Sequence, residues 1–510
     1  MKKVLLLLLF CLPVSFNSYA QLLYGLDPTF ANNGIYMGDT GGYTRLVVQP
    51  DNKIIVTGAE VENTTYMYIV RRLNEDGTKD ASFANNGCFK ISALGLNNTI
   101  VTLLYLQPDG KVLLGGSADT GITNQDFLLI RLKQDGNLDS SFGGGGYVMT
   151  SYINTLTSAI SDAMSSITLQ PDGKIIAYGS TKFLSDTLQV IRYHPDGRVD
   201  SSFGVNGIVR LAEGFEYPTP NDIALMPDGR IVVGVKARIS SLNPPWGTYA
   251  FTAIRLLSDG SLDTSFNHKG MAYTNKNLGG LLYCKAMCLQ PDGKILLAGH
   301  GDSLAVIRFD VTGTLDYSFG KIGIAKIDYG DTHTLELQQD GKILLGGKND
   351  TNAIIYRLLS NGNIDNDFGM NGVISTSLLT AFSDIVIQPD YKLLSCGYNV
   401  INPQGSFNYS KPFIARFMPD AANSVMNLFL DGNLTVFPNP ATDYINIDVP
   451  TSQNPLHIAL YSIDGKLLRT QTHPGTNRLS TYGLADGIYY LHIRFANHAT
   501  LVKKIIIQKH

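Results

Sequence analysis

YLQPDGKVLLGG, residues Tyr105 to Gly116, is two short apolar runs joined by Pro108-Asp109-Gly110. Proline presets φ for a turn and glycine accepts φ > 0, so this stretch is a tight β-hairpin. Further along, LLIRL (Leu128–Leu132) supplies a third apolar run. LDSSFGGGG (Leu138–Gly146) then leads into a fourth. The runs are short and rich in β-branched residues, which reads as strand rather than helix.

This four-strand unit recurs along the chain. LVVQPDNKIIVTG, TLQPDGKIIAYG, ALMPDGRIVVG, CLQPDGKILLAG, ELQQDGKILLGG and VIQPDYKLLSCG repeat the hairpin. The proline-equivalent positions are Pro50, Pro108, Pro171, Pro227, Pro291, Gln339 and Pro389, spaced 48 to 64 residues apart. Seven copies of four strands predict an all-β chain: a seven-bladed β-propeller followed by a small β-sandwich. The first D-x-x-F-x-x-x-G segment (Asp27–Gly34) precedes the first hairpin, and none follows the last arginine strand at Arg416. Ile35–Met37 is therefore expected to complete the last blade and close the ring. The unit resembles the delta-60 repeats of a bacterial propeller family over roughly residues 26 to 420, a resemblance that implies fold and says little about activity.

Two charged positions recur in every unit: Arg72, Arg131, Arg192, Arg255, Arg308, Arg357 and Arg416, and Asp27, Asp80, Asp139, Asp200, Asp263, Asp316 and Asp365. They could ring a central channel, or they could form one buried pair per blade. Sevenfold identity is what a scaffold requires, so the expected role is structural.

The chain of 510 residues divides into four parts. MKKVLLLLLFCLPVSFNSYAQ has two lysines, an apolar run and small residues at Ser18 and Ala20, which reads as a signal peptide at 1–20. The run is shorter than the roughly 20 residues a membrane helix needs, and no later segment approaches that length. The propeller is expected at 21–422, a linker at 423–433 and a C-terminal sandwich at 434–510. PNPATDYINI (Pro438–Ile447), LYSIDGKLL (Leu460–Leu468), GLADGIYYLHI (Gly483–Ile493) and KKIIIQ (Lys503–Gln508) stand in order there. They resemble the sorting domain that ends substrates of the type IX secretion system of Bacteroidota. The resemblance implies export through the periplasm to the outer-membrane surface or beyond, with the type IX machinery as partner of residues 434–510.

Charged residues are only 16% of the chain, aromatics are 10% and the formal net charge is −3. Chain-wide disorder is excluded, and a nucleic-acid partner is not expected because no basic stripe exists. Cys88, Cys284, Cys288 and Cys396 remain after the signal; Cys284 and Cys288 are expected on one face of a strand, too far apart to pair. No H-E-x-x-H, G-x-S-x-G, Walker loop or zinc spacing occurs, so no catalytic residue, cofactor or metal is assigned. Acidic turns such as NEDGTKD place oxygens near one another but are explained as turns. The histidines, among them His194, His268, His300 and His333, show no ligand spacing and read as scattered structural groups.

Function is expected where the copies differ. The fourth unit carries the insertion KARISSLNPPWGTYAF, with Trp246 and Tyr249, and the seventh carries YNVINPQGSFNYSKPF, with Phe407 and Tyr409. These four aromatics are the candidate ligand-binding residues. The expected role is non-catalytic binding of an extracellular polysaccharide or protein. The alternatives are an enzyme acting on extracellular polysaccharide at the axial channel and a structural surface component.

Overall fold

The computed structural model describes residues 25–62, 65–119, 125–151, 161–183, 185–211, 216–239, 248–274, 283–327, 330–350, 352–401, 410–418, 435–448, 455–462, 467–472, 478–495 and 500–509. They divide into two compact units, one within Leu26–Pro419 and one within Asp420–His510.

Each hairpin of the first unit is built as its residues require. Gln107 and Lys111 bracket the turn, with Gln107 N donating to the Lys111 carbonyl and Gly110 N to the Gln107 carbonyl, both at 2.8 Å. Gly110 holds φ at 78°, the left-handed region that favours glycine. The equivalent positions are glycine in five copies, Asn52 in the first and Tyr391, at φ 65°, in the last.

Strands between Ile35 and Phe417 form four-stranded antiparallel sheets, seven among the described residues. Two of them are linked through a single parallel bridge, Ser161 with Gln125. The first sheet runs Gly41–Val48, Ile54–Glu62, Thr65–Leu73, Cys88–Lys90. The later sheets begin at Asn97–Leu106, Ser161–Leu169, Glu216–Leu225, Tyr283–Leu289, Asp331–Leu337 and Ala381–Ile387. Each beginning strand packs beside the next, and Ala381–Ile387 packs beside Gly41–Val48. Between sheets lie apolar layers. One holds Phe30, Tyr43, Leu46 and Val56 against Leu394, Cys396 and Ile414. The N-terminal strand Ile35–Met37 joins the last sheet, pairing Ile35 with Ala415 and Met37 with Phe413. This architecture is a β-propeller.

Every beginning strand contains a β-bulge, at Thr44, Thr102, Ser165, Asn221, Lys285, His333 and Ser383. A bulge inserts one residue and reverses which face the following side chains take. The expectation for Cys284 and Cys288 is corrected on that ground. Lys285 bulges between them, so Cys284 packs in the layer towards the preceding sheet and Cys288 against the layer towards the following one. Both are free thiols.

The second unit has a three-stranded sheet (Thr435–Phe437, Tyr444–Asp448, Arg478–Ser480) and a four-stranded one. The latter has the order Leu467–Thr472, Pro455–Ser462, Gly487–Phe495, Thr500–Ile507. Ile445, Ile447 and Leu479 from the first sheet meet Ile458, Leu460, Leu491, Ile493 and Ile505 from the second in one core. Among the described residues no helix is long and apolar enough to cross a membrane.

Candidate functional site

The repeated charges lie at the hairpin end of the propeller and hold its sheets together. In each copy the arginine Nε donates to the aspartate eight residues on, or to Asp27 in the last copy, at 2.7 to 2.9 Å. The guanidinium stacks 4.4 to 4.7 Å above the centre of the buried phenylalanine of the same copy. Arg72, Arg131, Arg192, Arg255, Arg308 and Arg416 also reach into the next sheet, donating Nη1 to Gln134, Pro195, Ser258, Val311, Ser360 and Glu75 carbonyls at 2.5 to 2.7 Å. The cation that follows each turn (Lys53, Lys111, Lys174, Arg230, Lys294, Lys342, Lys392) contacts the same aspartate at 2.9 to 3.4 Å. Burial by itself would raise these carboxyls. Serine hydrogen bonds and the two facing cations outweigh it, so Asp80, Asp139 and Asp200 lie below the usual carboxylate range and Asp316 is lowered to about 2. These groups are engaged with one another and, through the arginines, with the neighbouring sheets.

The bulges turn unrepeated side chains toward the axis. A cavity of about 250 Å³ lies there, lined among others by Arg45, Asp222, Lys285, His333, Glu336 and Asp384. Asp222 accepts Ser166 Oγ at 2.6 Å; Asp384 accepts Leu46 N at 3.0 Å and Thr334 Oγ1 at 3.1 Å. Burial raises both carboxyls, with the Arg45 charge opposing it. Burial and the Asp384 charge push Glu336 up to about 7. Larger grooves of about 950 and 790 Å³ open between outer strands. The repeat's own turn segments line them, Gly143 to Val148 with Asp196 to Val199 in one and Gly320 to Lys326 with Gly362 to Asn366 in the other.

At the end opposite the hairpins, the fourth to sixth sheets bring together a combination of side chains that the repeat does not reproduce as a set. Lys236 Nζ lies 4.6 Å from the Tyr249 ring centre and 3.9 Å from that of Tyr283. Tyr283 stacks on His300, ring centres 5.0 Å apart and planes 23° from parallel. His300 Nδ1 is 2.7 Å from Asp331 Oδ1, and His333 Nε2 is 3.4 Å from Asp331 Oδ2. His333 Nδ1 lies 3.0 Å from the Phe382 carbonyl oxygen in the seventh sheet. Burial works to raise the Asp331 carboxyl, but the two imidazoles hold it well below its usual range. All three of these side chains are about a quarter exposed. Asp331 stands between the imidazoles, and among the described residues no three such side chains are arranged to hold a metal ion.

Of the aromatics singled out from the sequence, Tyr249 joins this cluster. Trp246, Phe407 and Tyr409 lie outside the described residues, as do the signal segment and the linker. The reading of His300 and His333 as scattered is corrected. They are brought to opposite sides of one carboxylate because the end of one sheet's second strand packs beside the start of the next sheet. Spacing along the chain carries no trace of that contact. The repeat register does, since both histidines fall at the strand ends opposite the hairpin.

Residues 435–508 match the secretion system C-terminal sorting domain. Stretches 49–83, 107–142, 170–203, 227–266, 290–319 and 338–368 match a β-propeller domain of unknown function (DUF5122). The chain is a repeat propeller that ends in a sorting domain. That domain directs export through the type IX secretion system to the cell surface or beyond it. No curated protein matches the sequence. Among solved structures, the polysaccharide lyase Uly1 is similar at 10% identity, over 78% of this chain and 92% of its own, with a TM-score of 0.42. A pyrroloquinoline quinone (PQQ)-bound aldose sugar dehydrogenase from Streptomyces coelicolor is 12% identical over 62% and 94%, TM-score 0.37. A protein of unknown function from Bacteroides caccae is 13% identical over 57% and 83%, TM-score 0.32. At such distances the activity of this chain rests on its own residues.

Proposed function

We propose that the exported propeller is a non-catalytic binding protein for an extracellular polysaccharide or protein, and that it binds at the end opposite the hairpins. The convergence of Lys236, Tyr249, Tyr283, His300, Asp331 and His333 carries this reading. The repeated polar residues are committed to holding sheets together. The cluster on three successive sheets also bridges neighbouring sheets, but its charged and aromatic side chains stay partly exposed and lie outside the repeated arginine–aspartate set. The insertion that contributes Tyr249 also contains Trp246, the sole tryptophan. Titrating the full-length protein with polysaccharides and glycoproteins, with the indole excited selectively, tests the reading. Saturable binding that weakens in Tyr283→Ala without turnover supports it. Binding unchanged in that variant moves the site elsewhere.

A second reading, an enzyme at the axis, draws on Asp222 and Asp384, whose carboxyls burial raises, beside Glu336, which burial and the Asp384 charge push up to about 7. The cavity of about 250 Å³ is smaller than the roughly 300–1,000 Å³ of ordinary ligand sites, which favours binding at the open end. Release of new chain ends from a polysaccharide, abolished in Asp384→Asn, would establish the enzyme instead.

A further inference from the structure

Lys236 is held between two rings, and Lys285 Nζ lies 5.9 Å from the centre of one of them, Tyr283. Both ammonium groups thus face a common ring from within one small region. Among the described residues no carboxylate pairs with either; Asp331, the acid of the cluster, directs its two oxygens at His300 and His333. A ring face attracts an ammonium but accepts none of its N–H groups in a strong hydrogen bond. Burial lowers the Lys236 pKa and the Lys285 charge lowers it further, so the pair carries a repulsion that a bound anion would relieve.

From this we infer that the end of the propeller formed by the fourth to sixth sheets is a binding site for an anionic glycan, whose carboxylate or sulfate groups are held by Lys236 and Lys285. The inference rests on the binding role proposed above and names its ligand class. A glycan fits better than a protein. Protein interfaces are anchored by buried apolar and aromatic residues at their centre. None of the exposed large apolar side chains of the described residues belongs to the strand ends that form this cluster. Two point charges with no exposed large apolar side chain beside them among the described residues suit a hydrated polyanion. Tyr249 and Tyr283 serve to fix the Lys236 ammonium.

The test measures binding of the full-length protein to polygalacturonate, dextran sulfate and neutral dextran at low and high salt. Tight, salt-sensitive binding to one or both polyanions is expected, and the polymer that binds tells carboxylate from sulfate. The Lys236→Met, Lys285→Met double variant is expected to lose at least about tenfold per lysine, the scale of one charge-assisted hydrogen bond. Lys133→Met, at an exposed hairpin-end turn, is the control and should change nothing. Melting temperatures of all variants establish that they are folded. Polyanion binding that survives the double variant overturns the site. Dextran binding as tight as that of the polyanions overturns the anionic class while leaving the binding role intact. Failure of all three polymers to bind overturns the inference and the polysaccharide form of the role together.

Discussion

Asp27 and Arg416 are separated by 389 positions in the chain, yet the Asp27 carboxylate accepts Arg416 Nε at 2.9 Å. Around that bond Asp27 N donates to the Arg416 carbonyl and Arg416 N to the Gly34 carbonyl. The pair ties the N-terminal strand into the last sheet. A protein that begins at Asp39 leaves Ser410–Phe417 as an open edge, and exposed edges pair with other chains. It is expected to melt at lower temperature and to associate. An unchanged melting temperature and a monomeric profile in light scattering would show that this strand is dispensable.

Asp139→Ala leaves Arg131 buried without its partner, which is expected to cost about 3–5 kcal/mol. Arg131→Lys keeps the charge but gives up the planar contacts with Phe142 and the Pro195 carbonyl, so it should destabilise as well. Denaturant midpoints report both. Binding at the far end should persist in each variant while folded, and a selective loss of affinity would assign these residues to a site.

The pH dependence should carry two opposite contributions. The aspartates of the repeated pairs have folded pKa values below their unfolded ones, so the stability they supply is present above about pH 4 and is lost as pH falls toward their folded values, about 2 for Asp316. Glu336 has the reverse sign. Its folded value near 7 lies above the unfolded 4.5, so the fold binds the proton more tightly and stability declines as pH rises through that interval. Glu336→Gln should flatten the melting temperature between those two pH values. An unaltered slope would mean that Glu336 titrates normally.

Tyr391 occupies a left-handed turn position that is glycine in five copies. Left-handed backbone costs a residue with a Cβ about 1–2 kcal/mol, part of which glycine returns through its freer unfolded chain. Tyr391→Gly is therefore expected to raise stability by up to about 1 kcal/mol in chemical denaturation. A loss of stability would show that the ring's contact with Gln339, 3.4 Å away, outweighs the backbone.

Removal of residues 434–510 should leave the propeller in the periplasm, as judged by fractionation and by protease treatment of intact cells. Normal surface display without them would remove the sorting role from this segment.

The repeat pattern was legible because it is local. Pro-Asp-Gly turns, strand-length apolar runs and the D-x-x-F-x-x-x-G segment are each read within one unit, and their register pointed to Ile35–Met37 as the strand that completes the last sheet. The arginine and aspartate were legible as a repeated pair, whereas the turn cation that shares each aspartate was seen only as a marker of position. The bulges were not legible. Thr44, Lys285 and His333 have no composition in common, and a strand without the bulge puts Cys284 and Cys288 on one face.

What the sequence determined by itself is therefore the unit, its repetition and the sorting module, all set by short-range backbone preferences and motif order. The tertiary structure alone decided which unrepeated residues meet. Lys236, Tyr283, His300 and Asp331 come from three units, and their contacts arise from the lateral packing of one sheet on the next. Such packing depends on strand twist and on where each bulge turns a side chain, and neither leaves a period in the sequence.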